Sequence, residues 1–236
     1  TGAGDTEYTR AVGRNLWISM AARVNRPGCK YDQLPYLKGA QGRFKTSLLE
    51  IIGGKWYAVA SEDVHNKDFF MCLHGHLLIE IAELHSIMGT KADSNRVKMV
   101  LAAAKDTYRS PYGRVAESHP RMSVFVGTTN EAKPLKDPTG NRRFWPIQTA
   151  RIDLEAAFRD RDQLFAEAVH RFQRGQRWWE IPEAMAIEAQ EADYEEDPLA
   201  PVVHDYLVPR QLEGVTIAQI CQEALKMPTG RIDIAI

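Results

Sequence analysis

The sequence predicts an α/β fold: a sheet covered by helices on both faces and organised around a phosphate-binding loop. Three observations point there. Short apolar runs alternate with helical stretches along the chain. A glycine-bearing segment, Gly39-Ala40-Gln41-Gly42-Arg43-Phe44-Lys45-Thr46-Ser47, separates the first such run from a helix. The second run, Leu77-Leu78-Ile79-Glu80-Ile81-Ala82-Glu83, ends in carboxylates.

Residues 6–24 read as an amphipathic helix, with Val12, Leu16, Ile18, Met20 and Ala21 among polar residues, and Pro27-Gly28 stops it. Residues 33–38 form a short apolar strand that runs into the loop. The loop's helix continues through Leu48 to Ile52 and ends at Gly53-Gly54. Residues 77–81 are a second strand. Residues 93–105 are expected to be helical, with Val97, Val100, Leu101 and Ala104 on one side. Val124 to Asn130 is a third strand, and Phe144-Trp145-Pro146-Ile147 a short fourth. Helices follow at about 153–175 and 183–194. Pro198 and Pro201 mark a break before a small helical module over 202–207 and 216–225.

Composition excludes several classes. The chain has 236 residues, 44% hydrophobic and 26% charged, as in an ordinary globular protein. It has no apolar run long enough to span a bilayer and no signal peptide at its start, so a cytoplasmic protein without a membrane partner is expected. Cys29, Cys72 and Cys221 are isolated, which argues against a zinc site or a disulfide framework and fits a reducing compartment. The net charge of −1 does not announce nucleic acid, so any DNA contact must come from a local patch. His74, His76 and His85 have no metal-dictating spacing and read as structural or solvent-facing. The abrupt ends suggest a piece of a longer polypeptide.

The chemistry concentrates in five places. Residues 39–46 match the phosphate-binding pattern of Gly, four residues, Gly, Lys and Ser/Thr, except that Phe44 replaces the last glycine. Backbone N–H groups there would cradle phosphates. Lys45 would neutralise the terminal oxygens, Thr46 would offer a hydroxyl to Mg²⁺, and the following helix would present its positive end. Glu80 and Glu83 supply the acids such chemistry needs. Their three-residue spacing leaves the roles open; Glu83 is assigned to the attacking water and Glu80 to the metal side. Asn130, at the end of the third strand, can hold that water or touch the γ-phosphate. Arg142 and Arg143 follow a turn, and alternation keeps them from both facing one way. One could reach the γ-phosphate of a neighbouring subunit, and the other could pair with an acid at the interface. Finally, Arg109 and Arg114 flank a Pro111-Tyr112-Gly113 turn, so that with Tyr112 they could form a DNA-gripping hairpin; an ordinary charged loop, or one that contacts a neighbouring subunit, fits equally.

Taken in order, Arg26-Pro27-Gly28-Cys29-Lys30-Tyr31-Asp32, the 39–47 loop, Glu80-Ile81-Ala82-Glu83-Leu84, Tyr108 to Arg114, Gly127 to Asn130 and Asp137 to Pro146 resemble the virulence-associated protein E family. The resemblance covers about residues 8–180, and the Arg-Arg-Phe-Trp-Pro block is its most specific part. These are helicase-like P-loop proteins of phages, plasmids and integrated elements, similar to superfamily 3 helicases with an AAA+-like core. The resemblance implies ATP and Mg²⁺ as cofactors, single-stranded or forked DNA as a partner, and a homo-oligomer such as a hexameric ring. The expected organisation is an N-terminal helical segment (1–30), a P-loop NTPase domain (31–180) and a helical C-terminal extension (181–236) that could open a winged-helix-like module. Phe44 departs from the family. Either its ring swings outward and hydrolysis survives, or the protein keeps the fold as a non-hydrolysing DNA- or protein-binding regulator. A nucleotide kinase shares the loop, but no acceptor pocket or lid is visible in the sequence.

Overall fold

The computed structural model describes residues 1–60, 64, 66, 69–88, 90–109, 114–135, 141–194, 199–210 and 214–227. The chain divides into two compact units, Thr1–Tyr194 and Glu195–Ile236.

The first unit is mixed α/β. Helix α1 (Glu7–Asn25) starts at a capping box, in which Thr6 Oγ1 accepts from Thr9 N–H and Thr9 Oγ1 accepts from Thr6 N–H, each at 3.1 Å. Strand β1 (Leu34–Lys38) leads through residues 39–44 into α2 (Lys45–Gly53). Then come β2 (Tyr57–Val59), the short α3 (Phe69–Cys72), β3 (Leu78–Ile81) and α4 (Lys91–Ala102). A hairpin of β4 (Lys105–Tyr108) and β5 (Glu117–Pro120) precedes β6 (Val124–Thr129), β7 (Phe144–Gln148), α5 (Leu154–Gln173) and α6 (Glu183–Ala192).

Five strands form a parallel sheet in the order β2-β3-β6-β1-β7. Parallel strands require covered faces, and the side chains alternate accordingly. Leu37, Leu78, Val124, Val126, Trp145 and Ile147 join one core with α1 and α2. Leu34, Tyr36, Ile79, Ile81, Phe125 and Phe144 join a second core with α4. The chain leaves β1 for the far edge at β2 and returns through β3 and β6, then crosses to β7 on the other side of β1. This places a reversal of strand order beside β1, where open α/β sheets form a crevice at their carboxyl ends.

Several elements differ from expectation. The helix expected over 93–105 stops at Ala102, and Lys105 already belongs to β4. Strands β4 and β5 lacked a hydrophobic signature because they are mostly polar, Lys-Asp-Thr-Tyr facing Glu-Ser-His-Pro. Strand β2 is a three-residue, half-exposed edge, too short for a periodicity. In the second unit, α7 (Ala200–Leu207) and α8 (Ile217–Gln219, continuing as a π-helical turn over Ile220–Ala224) are tied by Tyr206 Oη donating to Glu223 Oε2 at 2.7 Å. No described helix is long and apolar enough to cross a membrane.

Candidate functional site

The loop after β1 bends because of its glycines. Gly39 has φ +155°, and a Cβ there would stand 2.7 Å from Thr149 Oγ1. Gly42 has φ +75°. Phe44 also takes the left-handed conformation, at φ 59° and ψ 28°, the region a glycine would occupy without strain. The residue is 58% exposed, so its side chain is not packed into the core. Helix α2 begins at the next residue, Lys45.

Lys45 is buried, and its ammonium donates to Gly39 O (2.7 Å), Ala40 O (3.0 Å) and Asn130 Oδ1 (2.8 Å). Asn130 in turn donates through Nδ2 to Glu83 Oε1 at 3.3 Å. Thr46 donates to Glu80 Oε1 at 2.9 Å. Loop, second-strand acids and third-strand amide therefore meet at the carboxyl ends of β1, β3 and β6. They border a cavity of about 310 Å³ whose walls include Lys45, Thr46, Glu80, Glu83, Thr128 and Asn130. Burial lowers the Lys45 pKa, opposed by the charges of Glu83 and Glu80.

The two acids stand in different environments. Glu80 is fully buried. Besides Thr46, it accepts from Thr128 Oγ1 at 2.6 Å and, through Oε2, from Tyr57 Oη. Burial, and then the hydrogen bond and charge of Glu80, push the Tyr57 pKa up. Glu83 lies just past β3 at φ 49° with its side chain exposed. Left-handed backbone at a non-glycine residue is a cost that clusters at functional positions. His85 Nδ1 stands 3.5 Å from Glu83 Oε2 and 3.4 Å from Thr129 Oγ1.

Sequence reasoning passed over Tyr57 and Thr128 and read His85 as structural or solvent-facing. The only available signal for Tyr57 was an aromatic pair, Trp56-Tyr57, shortly after the Gly53-Gly54 that ends α2. Thr128 sat inside the Thr-Thr-Asn run without a role.

Other predicted residues lie elsewhere. Arg142 and Arg143 close a 3₁₀ turn before β7, whose first residue pairs with Leu34 at the amino end of β1. They therefore lie at the amino ends of the strands, opposite to the carboxyl ends that carry Lys45, roughly 13 Å or more along the strands. Arg143 Nε stands 3.5 Å from Asp32 Oδ2, while Arg142 is exposed and borders a separate cavity with Arg26, Lys30, Trp178 and Trp179. Arg109 and Arg114 are exposed at the two sides of the β4–β5 turn, and Tyr112 lies outside the described residues. Among the described residues no group of three or more His, Cys, Asp or Glu could hold a metal ion.

The model of the virulence-associated protein E-like domain matches residues 1–197. No curated protein matches the sequence. Three structures of the NrS-1 C-terminal region (305–718), two described as an A form and all apo, are similar at 14%, 15% and 16% identity. Their TM-scores are 0.50, 0.52 and 0.53, over 94%, 88% and 88% of this chain. The chain spans only about half of those proteins, 56%, 52% and 53%. At such identity the likeness establishes a shared fold.

Proposed function

Because the chain belongs to the virulence-associated protein E-like family, we propose that it is an ATP-dependent, helicase-like NTPase with an AAA+/superfamily 3-like P-loop core, serving DNA replication of a phage, plasmid or integrated element. The observation that carries this reading is the meeting of Lys45, Thr46, Glu80, Glu83 and Asn130 around one cavity at the switch point of a parallel sheet. The core is assigned to residues 31–180, with accessory helical segments at 1–30 and 181–236.

In this reading the amides of residues 39–47 and the α2 amino end hold the phosphates. Lys45 exchanges its loop carbonyl partners for phosphate oxygens. The donor set fits Mg²⁺: one hydroxyl and one buried carboxylate, with room for phosphate and water, as expected of a cation seldom caged by protein alone. Thr46 and Glu80 would hold it, and it would neutralise charge developing on the phosphates. Asn130, hydrogen-bonded to Glu83, orients the attacking water or touches the γ-phosphate, and the Glu83 carboxylate takes the water's proton. Arg142 is the residue of the pair free of the Asp32 contact, and it serves a neighbouring subunit of a homo-oligomer. Arg109 and Arg114 on the hairpin contact DNA backbone.

ATP hydrolysis by wild type and Lys45→Ala, with and without single-stranded DNA, tests the proposal. DNA-stimulated turnover is expected in the first and a loss of at least a hundredfold in the second, as when charge stabilisation is removed. Equal, negligible rates would overturn it. Phe44 favours a second reading, a non-hydrolysing regulator, because a side chain stands in the left-handed position of a phosphate loop. Turnover that appears only in Phe44→Gly would support that alternative.

A further inference from the structure

Phe44 has a place in the fold that the phosphate chemistry does not explain. Its ring is an exposed apolar surface at the tip of a strained loop. The same three residues, Gly42, Arg43 and Phe44, border two cavities. One is the 310 Å³ cavity of Lys45 and Glu80. The other, of about 760 Å³, runs from these residues to the start of α5, along Arg151, Asp153, Leu154 and Glu155. Both volumes fall in the range of about 300–1,000 Å³ usual for small-molecule sites.

We propose that the second cavity is the nucleobase subsite of the nucleotide whose phosphates occupy the first, with Phe44 as its stacking platform. The proposal rests on the NTPase reading and deepens it. A ligand spanning both cavities must cross the shared Gly42–Phe44 wall, so its two ends have different chemistry. The Lys45 end sets Lys45 and Arg43 among hydroxyls and the Asn130 amide, with Glu80 and Glu83 as the acids of the metal and water side. The far end offers an aromatic face, the apolar edge of Leu154, two exposed carboxylates and the exposed Arg151. Asp153 spends Oδ1 on the α5 cap, accepting from Ala156 N–H at 2.9 Å, and keeps a second oxygen. Carboxylates accept hydrogen bonds, so the subsite selects a base that carries an exocyclic amino group, as adenine does. Stacking on Phe44 also gives a reason for tolerating a left-handed phenylalanine, because the ring is presented to a ligand at the mouth of the phosphate loop.

The test is calorimetric titration of ATP, inosine triphosphate and inorganic tripolyphosphate into the full chain as wild type, Phe44→Ala, Phe44→Tyr and Lys45→Ala. Loss of one base stack is expected to weaken ATP about tenfold in Phe44→Ala. Tripolyphosphate should bind this variant as it binds wild type, and Phe44→Tyr should retain ATP affinity. Inosine triphosphate, which lacks the amino group, should bind wild type more weakly than ATP does. If Phe44→Ala changes neither ligand, or changes both alike, while Lys45→Ala still abolishes ATP binding, the base subsite is wrong and the NTPase reading stands. If wild type binds no ATP, both fall.

Discussion

Glu80 shows how the site is held at the scale of single residues. A buried carboxylate is costly unless its oxygens are satisfied, and here hydroxyls from Thr46, Thr128 and Tyr57 satisfy it from three different elements. Tyr57→Phe leaves Oε2 without that donor, and a buried group so orphaned costs about 1–3 kcal/mol. The variant should show a lower urea midpoint and a weakened response of ATP turnover to Mg²⁺, with tripolyphosphate affinity near wild type. An unchanged midpoint together with an unchanged Mg²⁺ response would remove Tyr57 from the site. That Lys45 and Thr46 meet Asn130 and Glu80 was legible, because the proposed phosphate loop ties residue types to a fixed spacing. Tyr57 was not, because its role depends on a neighbouring strand that brings Glu80 beside it, and no local pattern encodes that pairing.

The β4–β5 hairpin shows the same division at the scale of an element. Its base is fixed by Arg121, fully buried, donating to Asp106 Oδ1 from Nε at 2.8 Å and from Nη2 at 2.5 Å. Its exposed end carries Arg109 and Arg114. Removing one partner of a buried pair costs about 3–5 kcal/mol because the other charge is left uncompensated. Asp106→Ala should therefore lower the unfolding free energy by that amount in denaturant titration. Arg109→Ala/Arg114→Ala should leave stability unchanged and weaken single-stranded DNA binding, with the logarithmic salt slope falling by roughly 1.4 for two phosphate contacts. An unaltered slope would assign this end to a contact other than DNA. The turn expected at Pro111-Tyr112-Gly113 lies outside the described residues, and the strands were hidden by their polar composition, their order coming from pairing and from Asp106 and Arg121.

The whole molecule has two consequences, one of burial and one of topology. Tyr8, Tyr31, Tyr36 and Tyr57 all have pKa values raised, in each case chiefly by burial. Below about pH 10 the phenols are protonated in folded and unfolded chains alike, and their contribution to stability is fully present. Above that value the unfolded chain releases protons that the folded chain retains, so stability falls by up to about 1.4 kcal/mol per pH unit for each tyrosine. Urea titrations between pH 8 and 11 should show this onset, with a shallower decline in Tyr36→Phe. The second consequence follows from the parallel sheet, which separates Lys45 and Arg142 to opposite ends of its strands. A protein that needs both at one phosphate must join the carboxyl-end face of one protomer to the amino-end face of the next, a heterologous contact of the kind that closes rings. Lys45→Ala and Arg142→Ala should each be inactive alone. Mixed in equal amounts, they should regain roughly a quarter of wild-type turnover, because one in four randomly formed interfaces pairs an intact loop with an intact arginine. No recovery on mixing, with both variants oligomeric by light scattering, would place the arginine outside the reaction. Full activity of Arg142→Ala alone would do the same.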